Sequence, residues 1–291
     1  MPKFFSCSIT LSLLLLFTVA SFGQNTSKLP YYDSTWSKPY EPFRIAGNLY
    51  YVGTYDLACY LIATPHGHVL INSGLAESVP LIRKSVETLG FKFTDIKILL
   101  TTQAHYDHVA GLAEIKMMTG AQLMVHEGDA QVLADGGASD FALKGKDIMF
   151  EPIKAERLLH DGDTIQMGET KLLALHHPGH TKGATSFLVD VKDEERSWKV
   201  LIVNMPSILT QTRLSGMPAY PNVGKDYAYT LKSLSKLQFD LWVSSHAGQF
   251  NMHDKRKPGD PYRPEVFEDR AGYEATVNSL QQEYNRRLNS E

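Results

Sequence analysis

The sequence predicts an α/β fold in which two sheets are sandwiched between helices. Short apolar runs separated by Gly, Asp and Pro turns fill both halves of the chain, and each half closes in stretches with helical spacing. No Ser/Gly/Pro-rich linker divides the halves, so residues 24–291 are expected to form a single domain. At 43% hydrophobic and 21% charged, the composition excludes disordered and fibrous classes.

In chain order, Gln24 to Glu41 is polar and Pro-containing and reads as a loosely attached N-terminal arm. From Phe43 the pattern turns to strands, with Leu49 to Gly53, Cys59 to Ala63 and His68 to Ile71 bounded by turn residues. Ser78 to Leu89 carries Leu81, Ile82, Val86 and Leu89 at helical spacing, with Gly90 placed to end the helix. Ile96 to Leu100 is almost continuously apolar, as in a strand buried on both faces. A helix over Val109 to Met118, closed by Gly120, and a strand over Leu123 to Val125 follow.

The second half repeats the plan. Leu158-Leu159, Thr164 to Met167, Lys171 to Leu175, Thr185 to Val191 and Trp198 to Val203 read as strands. Tyr227 to Leu237 reads as a helix, Leu241 to Ser244 as a last strand, and Pro264 to Asn289 as a polar C-terminal helix.

The N-terminus reads as an export signal. Lys3 precedes an apolar run from Ile9 to Ala20, and Ser21 and Gly23 place small residues before Gln24, so residues 1–23 are expected to be cleaved. The run is too short for a membrane span, which needs about 20 residues, so no stable membrane association is expected after cleavage. The protein is expected in the periplasm. Cleavage removes Cys7 and leaves Cys59 alone in Leu57-Ala58-Cys59-Tyr60-Leu61-Ile62, where it reads as a small core residue without a disulfide. With 29 basic against 32 acidic residues and a net charge of −3, no basic excess exists to neutralise phosphates, so nucleic acid is excluded as a partner. No obligate protein partner is expected.

The histidines carry the chemistry. Directly after the strand Ile96 to Leu100 comes Gln103-Ala104-His105-Tyr106-Asp107-His108. In an extended loop residues 103, 105 and 107 point one way, and His108 would begin the next helix. Two imidazoles and a carboxylate so close together suit zinc or iron; a capping Asp beside surface histidines is the alternative. His180 follows another strand, in His176-His177-Pro178-Gly179-His180-Thr181-Lys182-Gly183, at a turn forced by Pro178 and Gly179. His246 ends the short strand Leu241 to Ser244. Separately these histidines are weak signals; together, three strand ends deliver imidazole. His66 and His68 flank a hairpin turn, His126 and His160 end strands without companions, and His253 carries no signal. His176 or His177 is placed to hydrogen-bond a ligand from behind.

This order of motifs resembles the metallo-β-lactamase superfamily, in which His-x-His-x-Asp-His, Gly-His-Thr-x-Gly and a strand-end His follow one another. Gln103 in place of the opening His is similar to the GOB-type enzymes of the third subclass of class B, as are Glu41 to Asp56, Asn204-Met205-Pro206-Ser207 and the stretch around Asp240-Leu241-Trp242-Val243. The resemblance covers about residues 40 to 285. It implies an αββα sandwich of two mixed sheets between helices, with the site at one edge. It also implies one or two zinc ions per chain, the first held by Gln103, His105 and His180 and the second by Asp107, His108 and His246. The second site is favoured, because Gln103 offers only a neutral amide oxygen and Met205, standing where relatives carry Cys, Ser or a bridging Asp, cannot bridge two ions.

The implied activity is hydrolysis of the β-lactam amide of penicillins, cephalosporins and carbapenems by a metal-bound hydroxide, which confers antibiotic resistance. Asp107 would be the catalytic base that handles the proton. Ser207 and Lys182 would hold the substrate carboxylate, although both also read as solvated loop residues. Two alternatives stay open: a lactonase or glyoxalase-type thioesterase on the same fold, and a secreted metal-binding protein without catalysis. Met205 argues against the first and Asp107 against the second.

Overall fold

The computed structural model describes residues 1, 29–143 and 148–291. Except for Met1, the export signal expected at residues 1–23 lies outside the described residues.

The first sheet begins as an antiparallel meander of β1 (Phe43–Ala46), β2 (Leu49–Tyr51), β3 (Tyr60–Thr64) and β4 (Gly67–Ile71). It continues with parallel strands β5 (Ile96–Leu100), β6 (Gln122–His126) and β7 (Arg157–Leu159), in the spatial order of the chain. The parallel strands require crossovers, supplied by α1 (Val79–Thr88), the pair α2 (Tyr106–Val109) and α3 (Leu112–Thr119), and α4 (Glu127–Ala134). The second sheet runs β12 (Leu241–Ser244), β11 (Ser197–Val203), β10 (Thr185–Lys192), β9 (Thr170–His176) and β8 (Thr164–Met167), all antiparallel except β11 against β12. Helices α5 (Val223–Leu234), α6 (Met252–Lys255) and α7 (Arg270–Ser290) belong to this half.

Strand alternation sorts side chains into two cores. Tyr60, Ile62, Val69, Ile71, Ile98 and Leu100 meet Phe187, Val189, Val200 and Ile202 between the sheets. Their neighbours Leu61, Leu70 and Leu99 face the other way, onto Ile82 and Val86 of α1 and Ile115 of α3. The central strand β5 is thus buried on both faces, as its apolar run predicts. Truncating such a residue, Leu99→Ala for example, costs about 2–5 kcal/mol.

Several elements differ from the sequence expectation for physical reasons. The helix expected over Val109 to Met118 is two helices. The break falls at Gly111, whose N–H donates to Ser73 Oγ at 3.1 Å and where a Cβ would stand 2.9 Å from the Ser73 carbonyl. Helix α5 starts one turn before Tyr227, pinned from outside by the Tyr284 hydroxyl of α7, which donates to the Gly224 carbonyl. The C-terminal helix does not run from Pro264: Pro264–Phe267 is a separate 3-10 turn. Asp269 then caps α7 by accepting from Gly272 N at 2.8 Å, while its carbonyl takes the Trp242 indole N–H at 2.7 Å. Helix α4 had no clear sequence signal. The arm is held more firmly than its composition suggests, since Trp36 is buried and the Tyr106 hydroxyl donates to the Tyr31 carbonyl.

Candidate metal centre

The strand ends of β4, β5, β9 and β12 meet at one edge and are laced together before any functional side chain is placed. Asn72, after β4, adopts φ 65°, a left-handed conformation that Asn tolerates better than most residues. Its Oδ1 accepts from Thr102 N at 2.9 Å, Thr102 Oγ1 at 3.1 Å and Thr101 Oγ1 at 3.2 Å, and its Nδ2 donates to the Ala58 carbonyl. Thr102 in turn shares a hydroxyl bond with Ser245 at 2.9 Å and accepts from Thr185 N at 2.8 Å. The loop carrying Gln103 and His105 is therefore fixed to the loops that carry His246 and His180.

Asp107 and His108 lie in the first turn of α2 and point at His246. Asp107 Oδ2 is 3.2 Å from His108 Nε2 and 3.3 Å from His246 Nε2. One donor atom from each of the three falls within 4.8 Å of the others. His246 is turned inward by Asp56, whose Oδ2 lies 2.8 Å from its Nδ1 and also accepts from Trp36 Nε1. The Asp56 main-chain carbonyl and carboxylate secure the next residues, Ala247 and Gly248.

His105 and His180 stand edge to face at 4.7 Å. The Ser207 carbonyl accepts from His180 Nδ1 at 2.6 Å and leaves Nε2 for the site. The loop bearing His180 is moored to α4: Asp129 accepts from Thr181 Oγ1 and from Gly183 N, each at 2.7 Å. This approach needs glycine on both sides, because a Cβ on Gly128 would stand 2.7 Å from the Lys182 carbonyl and one on Gly183 would strike Asp129. Gln103 is buried, and its Oε1 has no hydrogen-bond partner; the same holds for His108 Nε2.

The electrostatics are those of a cation site. Burial pushes the Asp107 carboxyl up, but the charge and hydrogen bonds of His108 and His246 outweigh it and hold the group well below the usual carboxylate range. Burial pulls His246 down, but it lies between Asp107 and Asp56, and the two carboxylates push it up to about 9. The pull they exert on a proton would act equally on a metal ion. Burial, with His105 nearby, takes His180 down to about 3, so its imidazole is neutral, as a ligand must be. Imidazole nitrogens, a carboxylate and orphaned buried acceptors are a donor set that fits zinc.

The remaining sequence-singled residues divide. Lys182 is partly exposed, its Nζ 5.7 Å above the Tyr220 ring, and it makes no ion pair among the described residues. Ser207 backs His180 through its carbonyl, with its hydroxyl 3.4 Å from the same nitrogen. Met205 is buried in the core between the sheets. Cys59 is buried, and desolvation pushes its thiol far up, which leaves no nucleophile there. His126 and His160 do have companions: His126 stacks on His176 at 3.8 Å, and His160 Nε2 lies 3.3 Å from Glu127. His176 Nε2 bonds the Lys182 carbonyl, while His177 ties Ser186 to Ser233, so neither touches a candidate ligand. His253 stacks on Tyr55. Asn72, Asp129 and Asp140 had no reading in sequence; only the chain position of Asn72, between a strand and Gly74, could have hinted at its turn.

Comparison with known proteins agrees with this geometry. The family model "Metallo-beta-lactamase superfamily" matches residues 54–193. A solved β-lactamase from Chitinophaga pinensis is 60% identical, with a TM-score of 0.88 over 89% of this chain and 98% of that one. The class B3 di-zinc metallo-β-lactamase LRA-12 from an Alaskan soil metagenome is 60% identical, with a TM-score of 0.87 over 88% and 97%. GOB-18 from Elizabethkingia meningoseptica is 49% identical, with a TM-score of 0.88 over 90% and 97%. Among curated relatives, a hydroxyacylglutathione hydrolase from Bradyrhizobium is 30% identical, and the match covers 45% of this chain and only 42% of that protein's length. At 49–60% identity over 97–98% of the length of these lactamases, with TM-scores of 0.87–0.88, the chain belongs to the metallo-β-lactamase superfamily, in class B3 beside the GOB-type enzymes.

Proposed function

We propose that this protein is a zinc-dependent β-lactamase that opens the β-lactam amide of penicillins, cephalosporins and carbapenems. The observation that carries this reading is the Asp107–His108–His246 cluster beside Gln103, His105 and His180, in a chain 60% identical to a β-lactamase over nearly its whole length. Asp107, His108 and His246 would hold one ion, and Gln103, His105 and His180 a second. Zinc held there would supply Lewis acidity and a nucleophile from water at neutral pH.

The chain's own groups do the rest. Asp107, ionised and buried, accepts the proton that water gives up and can return one to the nitrogen released when the C–N bond breaks. Asp56 and the Ser207 carbonyl fix which nitrogen of His246 and of His180 faces the ions. Lys182, partly exposed and without an acidic partner among the described residues, would take the substrate carboxylate. Ser207 would join it through its hydroxyl. Residues 1–23 would direct the protein to the periplasm, where the antibiotics act.

A thioesterase reading is favoured by the hydroxyacylglutathione hydrolase match, but that match spans less than half of either chain. Turnover of a chromogenic cephalosporin and of a carbapenem, lost in a chelator and restored by zinc, is the expected result. Turnover unchanged after the metal is removed, or turnover of a glutathione thioester alone, would refute the proposal.

A further inference from the structure

Behind the first of the two metal positions lies a buried carboxylate that the chemistry so far does not use. Asp140 sits on the segment that leaves α4 and is 3% exposed. An ionised carboxylate so placed costs several kcal/mol unless it is compensated. One oxygen is compensated by the main chain, accepting from Ala142 N and Leu143 N, both at 2.7 Å. The other, Oδ2, faces His105 Nε2 at 3.3 Å. No lysine or arginine pairs with Asp140 among the described residues.

His105 has two ring nitrogens. Nε2 is in ion-pair contact with Asp140 at 3.3 Å and makes no hydrogen bond among the described residues, so Nδ1 is the nitrogen left for an ion. A carboxylate on the far nitrogen fixes the tautomer of a ligating imidazole, locks its rotation and raises its basicity.

The two positions differ in charge. Asp107 brings a negative charge directly to the second. The first has Gln103, a neutral amide, and two imidazoles, so its donors carry no formal charge. His180 is backed by a neutral carbonyl, that of Ser207. Asp129 is nearby, but it is spent on Thr181 and Gly183, and burial pushes its carboxyl up. Asp140 is thus the anion in contact with a ligand of the first position.

We propose that Asp140 is a positioning residue for the Gln103/His105/His180 metal site: its carboxylate holds His105 by Nε2, turns Nδ1 to the ion and supplies the negative charge that this site otherwise lacks. This rests on the metal centre of the proposed function but not on its substrate.

The test is a zinc titration of the metal-free full-length protein against a chromophoric chelator, for the natural protein, Asp140→Asn and Asp140→Ala. Each is measured again with His246→Ala, which leaves the first position as the intact one. Both Asp140 variants should weaken that position by about 10–100-fold. The second position should stay within about threefold, since it is not in contact with Asp140. Asn can still accept from Ala142 and Leu143, so the melting temperature of the metal-free Asn variant should match that of the natural protein. Zinc affinity within twofold of natural at the first position overturns the proposal. So does an Asn variant that binds zinc normally while the Ala variant loses both zinc and thermal stability, because Asp140 would then be only a cap for the 141–143 turn. Failure to hydrolyse β-lactams would refute the proposed function and leave these affinities unchanged.

Discussion

Asn72→Ala should cost far more than its size suggests, although Asn72 touches neither metal position. The substitution removes the acceptor for Thr102 N and the donor to the Ala58 carbonyl, all buried. Leaving one buried main-chain group unpaired costs about 1–3 kcal/mol. The Thr hydroxyls count for little, since Thr101 Oγ1 also bonds the Gln103 carbonyl and Thr102 Oγ1 also bonds Ser245. Alanine at φ 65° adds a left-handed penalty of about 1–2 kcal/mol. Two such groups and the conformational penalty together give an expected loss of about 3–8 kcal/mol, a large share of the stability of a typical protein. Asn72→Gly lifts the conformational penalty but not the lost hydrogen bonds, so it should recover about 1–2 kcal/mol. The assay is urea unfolding in chelator, followed by tryptophan fluorescence. A loss below about 1 kcal/mol for Ala, or a Gly variant no better than Ala, would refute the reasoning.

Gln103→His should raise zinc content towards two per chain after dialysis at fixed free zinc, because imidazole binds zinc better than a neutral amide oxygen; equal content in both proteins would contradict a weak first position. Asp107→Ala and His246→Ala should lower kcat/KM for a cephalosporin far more than Gln103→Ala does, and equal losses would count against unequal sites. Acid should destabilise the metal-free protein between pH about 6.5 and 4. Burial first, with neighbouring histidines, takes His126 and His177 each down to about 4, so over this window the unfolded chain binds protons that the folded one does not. Stability is therefore fully present above the unfolded pKa and falls with pH by up to about 1.4 kcal/mol per unit for each histidine. His177→Gln should flatten the slope in pH-dependent urea unfolding, and an unchanged slope would exclude His177 as a contributor.

What the sequence reveals and what it hides follow from range. The strand ends and five of the candidate ligands are legible, because apolar alternation marks strands and the imidazoles and the Asp107 carboxylate directly after them are conspicuous; Gln103 is singled out only by the family resemblance. The supports are not legible. Asp129 and Asp140 are single carboxylates in a polar stretch, and their partners, Thr181, Gly183 and His105, lie far off in the chain. Helix α4 was hidden for the same reason, since its first turn is fixed against the loop at Lys182 and Gly183. The start of α5 depends on Tyr284, some 60 residues further on. The stacking of His126 on His176 joins the two halves, and no local pattern announces such a pairing.

Each metal position draws donors from both halves of the chain: Gln103 and His105 follow β5 while His180 follows β9, and Asp107 and His108 face His246 beyond β12. An ion at either position would therefore stitch the first sheet to the second, closing a long loop as a covalent cross-link does. Cys59, free and buried, offers no disulfide to do this. Zinc would thus also act as a removable staple between the sheets, so that scarcity of the metal would loosen the sandwich and silence the enzyme together.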